Sequence, residues 1–337
     1  MNILFIADPL DSFKIYKDTT FVMMREAAKR GHHVFACEVR QLRWSQQHEG
    51  GLTGVIADTQ QIQLAHEPAL LDAKALHRAG RMDVEWYAAL PSQAMSLATF
   101  DAIIMRKDPP FDSEYFYATH LLEQAQREGA KVFNSPRALR DHPEKLALME
   151  FAHLAAPTLV TRDIARIKAF HAQHHDLILK PLDGMGGVGI FRVRDDALNL
   201  GAIAETLTAN GAQTIMAQAY LPAIQDGDKR VLLIGGKPLP YALARIPQGG
   251  EVRGNLAAGG KGVAQKLSES DLKIATALGA TLASRGLLLV GLDVIGDKLT
   301  EINVTSPTCF QEIFDQTGFD VAAMFMDAVE AASARPV

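Results

Sequence analysis

The sequence predicts an α/β protein that begins with an open, mainly parallel sheet and continues into further lobes rich in strands. Two observations carry this prediction. In the first 134 residues, short apolar runs alternate with helical segments, which is the pattern of strand–helix–strand units. From Ser135 onward strands outnumber helices. A chain of 337 residues is also too long for one small core, so two or three packed lobes are expected.

The first elements form a strand–helix–strand unit. Asn2–Ala7 is an apolar run, Thr19–Lys29 has helical periodicity, and His33–Val39 is a second strand, with Gly31 suited to the helix end. The first turn lacks the GxGxxG motif, which argues against a dinucleotide site there. Residues 40–98 carry no pattern that assigns them. Order returns with a strand, a helix and a strand at Ala102–Met105, Ser113–Glu128 and Lys131–Asn134.

The second half of the chain alternates less regularly. The periodicity predicts helices at Pro143–His153, Ile164–His174, Leu198–Asn210, Glu269–Arg285 and Phe319–Ala332. Strands are predicted at Thr158–Val160, Leu177–Lys180, Ile190–Val193, Thr214–Ala219, Arg230–Ile234, Leu239–Arg245, Leu287–Ile295 and Leu299–Val304. Gly235 and Gly236 indicate a hairpin turn, whereas Ile246–Gly262 is rich in glycine and polar residues and has no period.

Composition narrows the class of function. A net charge of −5 argues against a broad nucleic-acid footprint, although local basic clusters can still hold a nucleotide. The two cysteines, Cys37 and Cys309, have no metal-ligand or disulfide spacing and fit a reducing compartment. No basic region precedes the first strand, and apolar runs such as Leu287–Val290 are far shorter than the roughly 20 residues of a membrane span. The sequence therefore predicts a cytoplasmic protein without nucleic-acid or membrane partners.

A glycine-rich loop is the most informative segment. A strand ends at Lys180, and four glycines follow within six positions, at Gly184, Gly186, Gly187 and Gly189. Glycines permit positive φ and close backbone approach, so such a loop can turn its N–H groups toward phosphate oxygens. The loop lacks the Gly-Lys-Ser/Thr of a Walker A motif, and a strand follows it. A flexible hairpin tip is the alternative interpretation.

A second cluster lies on the hairpin Gly291–Asn303, where Asp293, Glu301 and Asn303 interrupt an apolar pattern. Oxygen ligands on a rigid sheet suit Mg²⁺. A strict two-residue turn would pair Asp293 with Thr300 and place it on the face opposite Glu301, whereas a three-residue loop would pair Asp293 with Glu301. The metal hypothesis requires the second register. Solvent-facing carboxylates on a half-exposed hairpin are the alternative.

Basic residues are spread over separate predicted elements, at Lys145, Lys180, Arg230, Arg245 and Arg253. Phosphoryl transfer needs positive groups around the phosphates and the developing charge. Isolated Lys and Arg side chains are more commonly solvated surface. Only their position beside the glycine loop and the acidic hairpin makes these residues candidates.

Taken with these clusters, the chain resembles the ATP-grasp superfamily and, more narrowly, the bacterial glutathione synthetase family. The resemblance covers nearly the whole chain and is weakest from about residue 40 to 95. It is carried by Met105–Asp112, Ile178–Gly187, Asp226–Arg230, Ala244–Gly250, Arg253–Gly259 and Thr300–Pro307. These are long segments in the family's order and spacing.

The resemblance implies a role for each candidate residue. The α and β phosphates of ATP would be held by Lys145 and Lys180 and covered by Gly184, Met185, Gly186 and Gly187. Gln218, Tyr220 and Leu221 would line the adenine pocket, and Asp228 would reach the ribose. Asp293, Glu301 and Asn303 would hold two Mg²⁺ ions, with Mn²⁺ as an alternative. Arg230, Arg245, Arg253 and Asn255 would surround the transferred phosphoryl group and the substrates.

The family also implies an ATP-dependent ligation of γ-glutamylcysteine to glycine through an acyl phosphate. It implies an N-terminal substrate domain at 1–134, a central ATP-grasp lobe at 135–220 and a C-terminal lobe at 221–337 with a mobile lid at 246–261. Tetramers are expected from the resemblance alone. Two rivals remain: another ATP-grasp ligase, such as a D-alanine–D-alanine or glutamate-adding enzyme, and a regulatory protein that binds ATP without ligation, as in synapsins.

Overall fold

A computed structural model describes residues 1–81, 83–251 and 253–334. Val252 of the predicted lid and residues 335–337 of the predicted C-terminal lobe lie outside the described residues. The strands form three sheets, and their residues fall in the ranges 1–134, 135–220 and 221–337 respectively. Among the described residues, no helix is long and apolar enough to cross a membrane.

The first sheet has eight strands and a parallel centre. In the spatial order β2-β1-β7-β8 neighbouring strands are parallel, and β4 adds antiparallel to β2. Strands β3, β5 and β6 each pair antiparallel with β4. The antiparallel extension comes from residues 40–98, which the sequence did not assign. The strands are β1 Asn2–Ile6, β2 His33–Cys37, β3 Leu42–Glu49, β4 Leu52–Leu64, β5 Tyr87–Ala89, β6 Gln93–Ser96, β7 Ala102–Met105 and β8 Val132–Phe133.

Helices cover both faces of the parallel centre. They are α1 Thr19–Lys29, α2 Glu67–Arg78 and α3 Ser113–Arg127. Along β1, Ile3 and Phe5 pack with α1, whereas Leu4 and Ile6 pack with α3. A strand that is buried on both faces reads as a continuous apolar run, which is why β1 was visible in the sequence. The side chain of Asp18 accepts a hydrogen bond from the N–H of Phe21 and so fixes the start of α1.

The second sheet is a small antiparallel unit in the order β11-β10-β12-β9. Its strands are β9 Thr158–Thr161, β10 Leu177–Pro181, β11 Phe191–Val193 and β12 Ile215–Ala219. The predicted helix Pro143–His153 is instead a 3₁₀ helix, Leu146–Leu154, with a kink at Phe151, and α4 Pro136–Asp141 precedes it. Pro143 disfavours helical geometry at His142, which separates the two helices. Helices α5 Ile164–His174 and α6 Leu200–Leu207 pack on the sheet.

The third sheet is antiparallel in the order β15-β14-β13-β16-β17. Its elements are β13 Asp228–Ile234, β14 Lys237–Ile246, β15 Lys261–Lys266, β16 Leu289–Ile295, β17 Lys298–Asn303, α7 Glu269–Ser284, α8 Phe310–Thr317 and α9 Val321–Ala334. The sequence pattern missed β15 and α8. The predicted turn at Gly235 and Gly236 is confirmed, because Ile234 pairs with Lys237 around it.

The segment 144–155 belongs by its hydrogen bonds to the third sheet, although it lies in the range predicted for the central lobe. The N–H of Ile302 donates to the carbonyl of Glu144 at 3.0 Å, and Ala155 forms a parallel bridge with Leu299. These contacts place Glu144 and Lys145 beside β17, where the acidic candidates lie.

Candidate active site

One cleft of about 310 Å³ lies between the second and third sheets. Every candidate residue of the sequence lines it: Lys145, Lys180, Gly184, Met185, Gly186, Gly187, Gln218, Tyr220, Leu221, Asp228, Arg230, Arg245, Arg253, Asn255, Asp293, Glu301 and Asn303. From the N-terminal sheet, Asp108 and Pro109 line it as well. Residues that are more than 180 positions apart in the sequence thus line the same cavity. No single segment of the chain could form it.

The acidic hairpin has the register that a metal site needs, but a bulge produces this register and not the expected three-residue loop. Ile295 pairs with Lys298 around a two-residue turn, so the predicted three-residue loop is wrong. A bulge then shifts the register, and Asp293 pairs with Glu301 while Thr300 is the extra residue. A bulge sets two residues against one and turns the following side chains to the other face. Asp293 and Glu301 therefore both line the cleft.

Asp293 is held between two arginines. Its Oδ1 accepts from Nε of Arg230 at 2.6 Å, and Nη2 of Arg245 lies 2.9 Å from its Oδ2. Burial alone would raise the pKa of Asp293, but the two guanidinium groups outweigh it and hold the pKa below its usual value. The pKa of Arg245 is raised in turn, because Asp228 and Asp293 outweigh the effect of burial. The cluster is therefore ionised throughout the neutral pH range.

Asp228 is the exception within this cluster. Its Oδ2 accepts from Nη2 of Arg245 at 2.5 Å, whereas its buried Oδ1 has no partner among the described residues. Burial raises the pKa of Asp228 to about 6, and Arg245 opposes this effect only in part. A buried acceptor without a donor is costly, so Oδ1 is suited to receive a hydrogen bond from a ligand hydroxyl.

Two lysines bring positive charge to the opposite wall. Nζ of Lys145 lies 3.0 Å from Oε1 of Glu301 and donates to the carbonyl of Gly184 at 2.7 Å. Lys180 is buried, and burial lowers its pKa, while the charge of Glu301 opposes that shift. Lys145 thus links the acidic hairpin to the glycine loop, and both lysines line the cavity.

The glycine loop and the predicted lid touch each other. Nη1 of Arg253 donates to the carbonyl of Gly187 at 3.1 Å. Gly187 has φ +84°, and a Cβ there would lie 2.7 Å from Oδ1 of Asn255. Glycine is therefore required at this point both for backbone conformation and for space. Of the predicted lid 246–261, Ile246 belongs to β14 and Lys261 to β15, so the aperiodic part runs between these strands.

An apolar slot lies at the end of the cleft near β12. Sequence reasoning found Gln218, Tyr220 and Leu221 here and missed the apolar walls formed by Ile178, Ile190, Ile224 and Ile295. Nε2 of Gln218 donates to Oγ1 of Thr158 at 2.9 Å, which fixes its orientation. Aliphatic residues are common throughout a folded protein, so nothing in the sequence pattern marked these four as part of a site.

Glu144 is a polar residue of the cleft that the sequence analysis missed. Its Oε1 accepts from the N–H groups of Val304 and Thr305 at 2.9 and 3.0 Å, and also from the hydroxyl of Thr305. Burial raises the pKa of Glu144, and the nearby charge of Glu301 raises it further. The one available signal was its position next to Lys145. Glu144 fixes the chain after β17 against the cleft.

Comparison with known proteins decides the family. The family model described as the prokaryotic glutathione synthetase N-terminal domain matches residues 1–140, and the one described as the ATP-grasp domain of the same enzymes matches residues 144–318. The chain belongs to the prokaryotic glutathione synthetase family. It is accordingly an ATP-dependent ligase with the ATP-grasp fold.

Individual members of the glutathione synthetase family align along almost the whole chain. The glutathione synthetase of Ralstonia nicotianae is 57% identical over 335 residues, which cover 99% of this chain and 97% of that protein. The glutathione synthetase of Escherichia coli is 49% identical over 331 residues, covering 97% and 96% respectively. The alignment includes residues 40–95, where the resemblance by motif was weakest.

Solved structures show that the glutathione synthetase family shares its fold with more distant ligases. A Chryseobacterium gregarium ATP-grasp ligase in complex with ADP and peptides matches with a TM-score of 0.65, 14% identity and 100% coverage of both chains. D-cycloserine synthetase matches with a TM-score of 0.63 and 16% identity, covering 98% of this chain and 100% of that one. At such low identity the likeness concerns the fold alone.

Proposed function

We propose that this protein joins γ-glutamylcysteine to glycine at the expense of ATP and forms glutathione, ADP and phosphate. The observation that supports this proposal most directly is the single cleft, in which two lysines, a glycine loop, three arginines and an acidic hairpin converge. The identity of the substrates is inferred from membership of the glutathione synthetase family. The positively charged side chains of the cleft would attract a triphosphate and two substrates that carry carboxylates.

ATP would lie across the cleft with its base in the apolar slot. Gln218, Tyr220 and Leu221 would line the adenine, and the unpartnered Oδ1 of Asp228 would accept a ribose hydroxyl. Lys145 and Lys180 would hold the α and β phosphates, with the loop from Gly184 through Met185 and Gly186 to Gly187 above them. Nζ of Lys145 already contacts both the carbonyl of Gly184 in that loop and Glu301. A phosphate oxygen that replaced this carbonyl as the hydrogen-bond acceptor would leave the lysine where it is.

Asp293, Glu301 and Asn303 fit a site for Mg²⁺, with Mn²⁺ as a second option. Mg²⁺ in proteins commonly takes one or two carboxylates and completes its shell with waters and substrate phosphates. The side-chain amide of Asn303 donates to the carbonyl of Gly291 at 3.2 Å, which leaves its oxygen as the atom suited to a cation. When bound, the metal would neutralise charge on the phosphates. The carboxylates would then lose part of their contact with Arg230, Arg245 and Lys145 and would contact the cation instead.

The reaction follows from these placements. The carboxylate of the cysteinyl end attacks the γ-phosphorus of ATP, the bond to the β-phosphate oxygen breaks, and ADP leaves. Arg230, Arg245, Arg253 and Asn255 would surround the transferred group and spread its charge. The amine of glycine then attacks the acyl phosphate, loses a proton, and expels phosphate to leave the amide. The lid between β14 and β15 excludes water, which would otherwise hydrolyse the acyl phosphate.

No protein nucleophile is needed for this sequence of steps. Cys309 lines the cleft, but burial raises the pKa of its thiol to about 11, so it remains protonated at neutral pH. We further propose that the enzyme works in the cytoplasm as a homotetramer. Both cysteines are free and buried, which suits a reducing compartment.

Phosphate release by the purified protein tests the proposal. Release should require ATP, Mg²⁺, γ-glutamylcysteine and glycine together, with glutathione formed in equal amount. Turnover with D-alanine alone would instead identify another ATP-grasp ligase, and tight ATP binding without turnover with any acceptor would favour a regulatory protein. As a matched pair, Lys180→Met should abolish release, whereas Lys168→Met, at an exposed site of the same lobe, should leave it unchanged.

A further inference from the structure

Tyr220, which lines the apolar slot, has a guanidinium stacked on its ring. The Cζ atom of Arg192 lies 3.5 Å from the centroid of the Tyr220 ring. At this distance the planar guanidinium lies against the ring, and the positive charge is attracted to the electron-rich face of the aromatic system. Of the described residues around the cleft, Tyr220 lines it and Arg192 does not. Arg192 thus contacts a wall of the slot without forming that wall itself.

The guanidinium of Arg192 is held in turn by Asp176. Nε of Arg192 donates to Oδ1 of Asp176 at 2.9 Å, and Nη2 donates to Oδ2 at 2.6 Å. Two parallel hydrogen bonds between a guanidinium and a carboxylate fix the orientation of the guanidinium plane as well as its position. The hydrogen bonds to Asp176 also raise the pKa of Arg192, so the side chain stays charged at neutral pH.

The same aspartate also holds the backbone of Tyr220. The N–H of Tyr220 donates to the carbonyl of Asp176 at 2.8 Å. Asp176 precedes β10, Arg192 lies on β11 and Tyr220 follows β12, so the three residues join three neighbouring strands of the second sheet. Arg192 pairs directly with Ile178, which lines the cleft, and directly paired residues share one face of a sheet. Arg192 therefore reaches Tyr220 across the cleft side of the sheet.

An ion pair that only stabilises the edge strand β11 is the simpler explanation of this contact. The side chains of Arg192 and Asp176 are 21% and 30% exposed, and partly exposed pairs contribute little to stability. Such a pair also needs no aromatic partner. Four further contacts between a cation and an aromatic ring in the described chain have distances of 5.8 to 6.0 Å, so the 3.5 Å stack on Tyr220 is much closer. The contact therefore indicates a role for the ring that it holds.

We propose that Arg192 and Asp176 are positioning residues of the nucleotide site, which hold the ring of Tyr220 as a fixed wall of the slot and thereby strengthen the binding of adenine nucleotides. This role rests on the proposed function, which places adenine in the slot. A ring that is fixed before the ligand arrives loses little rotational freedom on binding, so more of the contact energy appears as affinity. Because Arg192 touches the slot only through Tyr220, nucleotide affinity should depend on it and kcat should not.

Nucleotide affinity tests this role without any need for turnover. The Kd for ADP with Mg²⁺ is measured by isothermal titration calorimetry. Arg192→Met keeps an unbranched side chain but removes the charge over the ring and the pair with Asp176, so it should raise the Kd for ADP and the KM for ATP by about 10-fold. The kcat and the KM for γ-glutamylcysteine should stay within about 2-fold of wild type. Arg194→Met, at an exposed position two residues further along, is the control and should behave as wild type.

Two conservative variants separate the charge over the ring from the pair that fixes it. Arg192→Lys keeps a cation for the ring but loses the two parallel hydrogen bonds to Asp176. Asp176→Asn keeps the backbone carbonyl that accepts from Tyr220 but removes the charge that holds Arg192. Each change removes part of the arrangement, so each should raise the Kd for ADP by about 3-fold.

A double-mutant cycle shows whether Arg192 acts through the ring. Tyr220→Leu removes the aromatic wall and should itself weaken ADP binding. In that background Arg192→Met should cause no further loss, because the contact that it breaks no longer exists. Two independent losses that add would instead show that Arg192 affects nucleotide binding by another route.

The outcomes separate this role from the function on which it rests. If Arg192→Met binds ADP like wild type, loses the same affinity with and without the ring, or lowers kcat as much as affinity, Arg192 is not a positioning residue for the nucleotide, and the proposed function stands. If Arg192→Met does not fold, Asp176→Asn decides, and an unchanged Kd overturns the role. A wild-type protein that binds no adenine nucleotide overturns the proposed function and this role together.

Discussion

At the hairpin end of the cleft, buried arginines form ion pairs with carboxylates. At the N-terminal end no described carboxylate lies within ion-pair distance of the buried Arg106, and Asp108 and Asp18 act on it only from farther away. Arg230 and Arg245 share Asp293, and Lys145 pairs with Glu301. Arg106 donates instead to Thr20 and to the carbonyl of Pro307, and its Nη1 has no hydrogen-bond partner in the described part of the chain. A buried ion pair offsets part of the cost of taking two charges out of water, whereas a buried charge without a close counter-charge keeps most of that cost. The hairpin end is therefore organised by its own ion pairs, whereas the N-terminal end holds its buried arginine through hydrogen bonds to neutral acceptors.

The largest expected effect is on turnover at the organised end. Glu301→Gln keeps the shape of the side chain but removes the charge that faces Lys145 and a bound cation. We expect kcat/KM to fall by about 1,000-fold, equivalent to about 4 kcal/mol, since preorganised charge is a dominant contribution to such reactions. Steady-state assays measure this. The thermal midpoint should change little, and a collapsed thermal transition would instead show that Glu301 is structural.

The next effect concerns stability. Asp293→Asn leaves Arg230 and Arg245 without their shared counter-charge in a buried site. Removing one partner of a buried ion pair lowers the free energy of unfolding by about 3 kcal/mol. Urea unfolding without nucleotide measures it, and Asp163→Asn, whose pair with Arg166 is exposed, should show no measurable change. A loss as small as that of the control would contradict the picture of an organised cluster.

A smaller effect depends on pH and comes from Asp228, whose Oδ1 has no partner among the described residues. The pKa of Asp228 is raised to about 6, whereas an unfolded aspartate has a pKa of about 3.9. Its ionised form is therefore disfavoured in the folded state, so its charge destabilises the fold above pH 6, and this effect disappears as the pH falls toward 4. Asp228→Asn should raise the free energy of unfolding by about 2 kcal/mol at pH 7.5 and leave it unchanged near pH 4. Urea unfolding at both pH values checks the sign, and a gain that is larger at pH 4 would contradict it.

The smallest effect is expected at the N-terminal end of the cleft. Tyr115→Phe removes a buried hydroxyl that has no partner where the structure describes the chain, so it should change the free energy of unfolding by less than about 1 kcal/mol. Thr208→Val is the matched control. That hydroxyl is also buried, but it donates to the carbonyl of Ala204 and accepts from the N–H of Gly211, so its loss should destabilise by about 1 to 2 kcal/mol. Equal losses in both variants would show that Tyr115 is satisfied.

Much of the fold could be predicted because many helices and strands follow from sequence patterns that are only a few residues long. Thr19–Lys29, Ala102–Met105 and Ile164–His174 were predicted with the bounds that the structure has, since each combines a clear period with a cap or a turn residue. The hairpin β3–β4 and the helix α8 were missed. β4 is mixed in burial and pairs with four other strands, so its pattern has no single apolar face.

The candidate site shows the same division. The residues came from motifs whose glycines, lysines and carboxylates are visible in the sequence, and all of them line one cleft. Their partners were not visible. The role of Glu144 depends on the backbone N–H groups of Val304 and Thr305, which lie far away in the sequence. The burial of Arg106 likewise depends on the fold and cannot be deduced from the segment Met105–Asp112.

The sequence by itself determined the alternation of strands and helices, the glycine loop, the acidic hairpin and the family to which they belong. Only the tertiary structure decided that a bulge at Thr300 brings Asp293 and Glu301 to one face, that Arg230 meets a carboxylate 63 positions away, and that Arg106 is buried against the neutral acceptors of Thr20 and Pro307. Local pattern encodes the elements because backbone propensity acts over a few residues. Register and charge pairing depend instead on which distant elements the sheets bring together, and that depends on the packing of the whole chain.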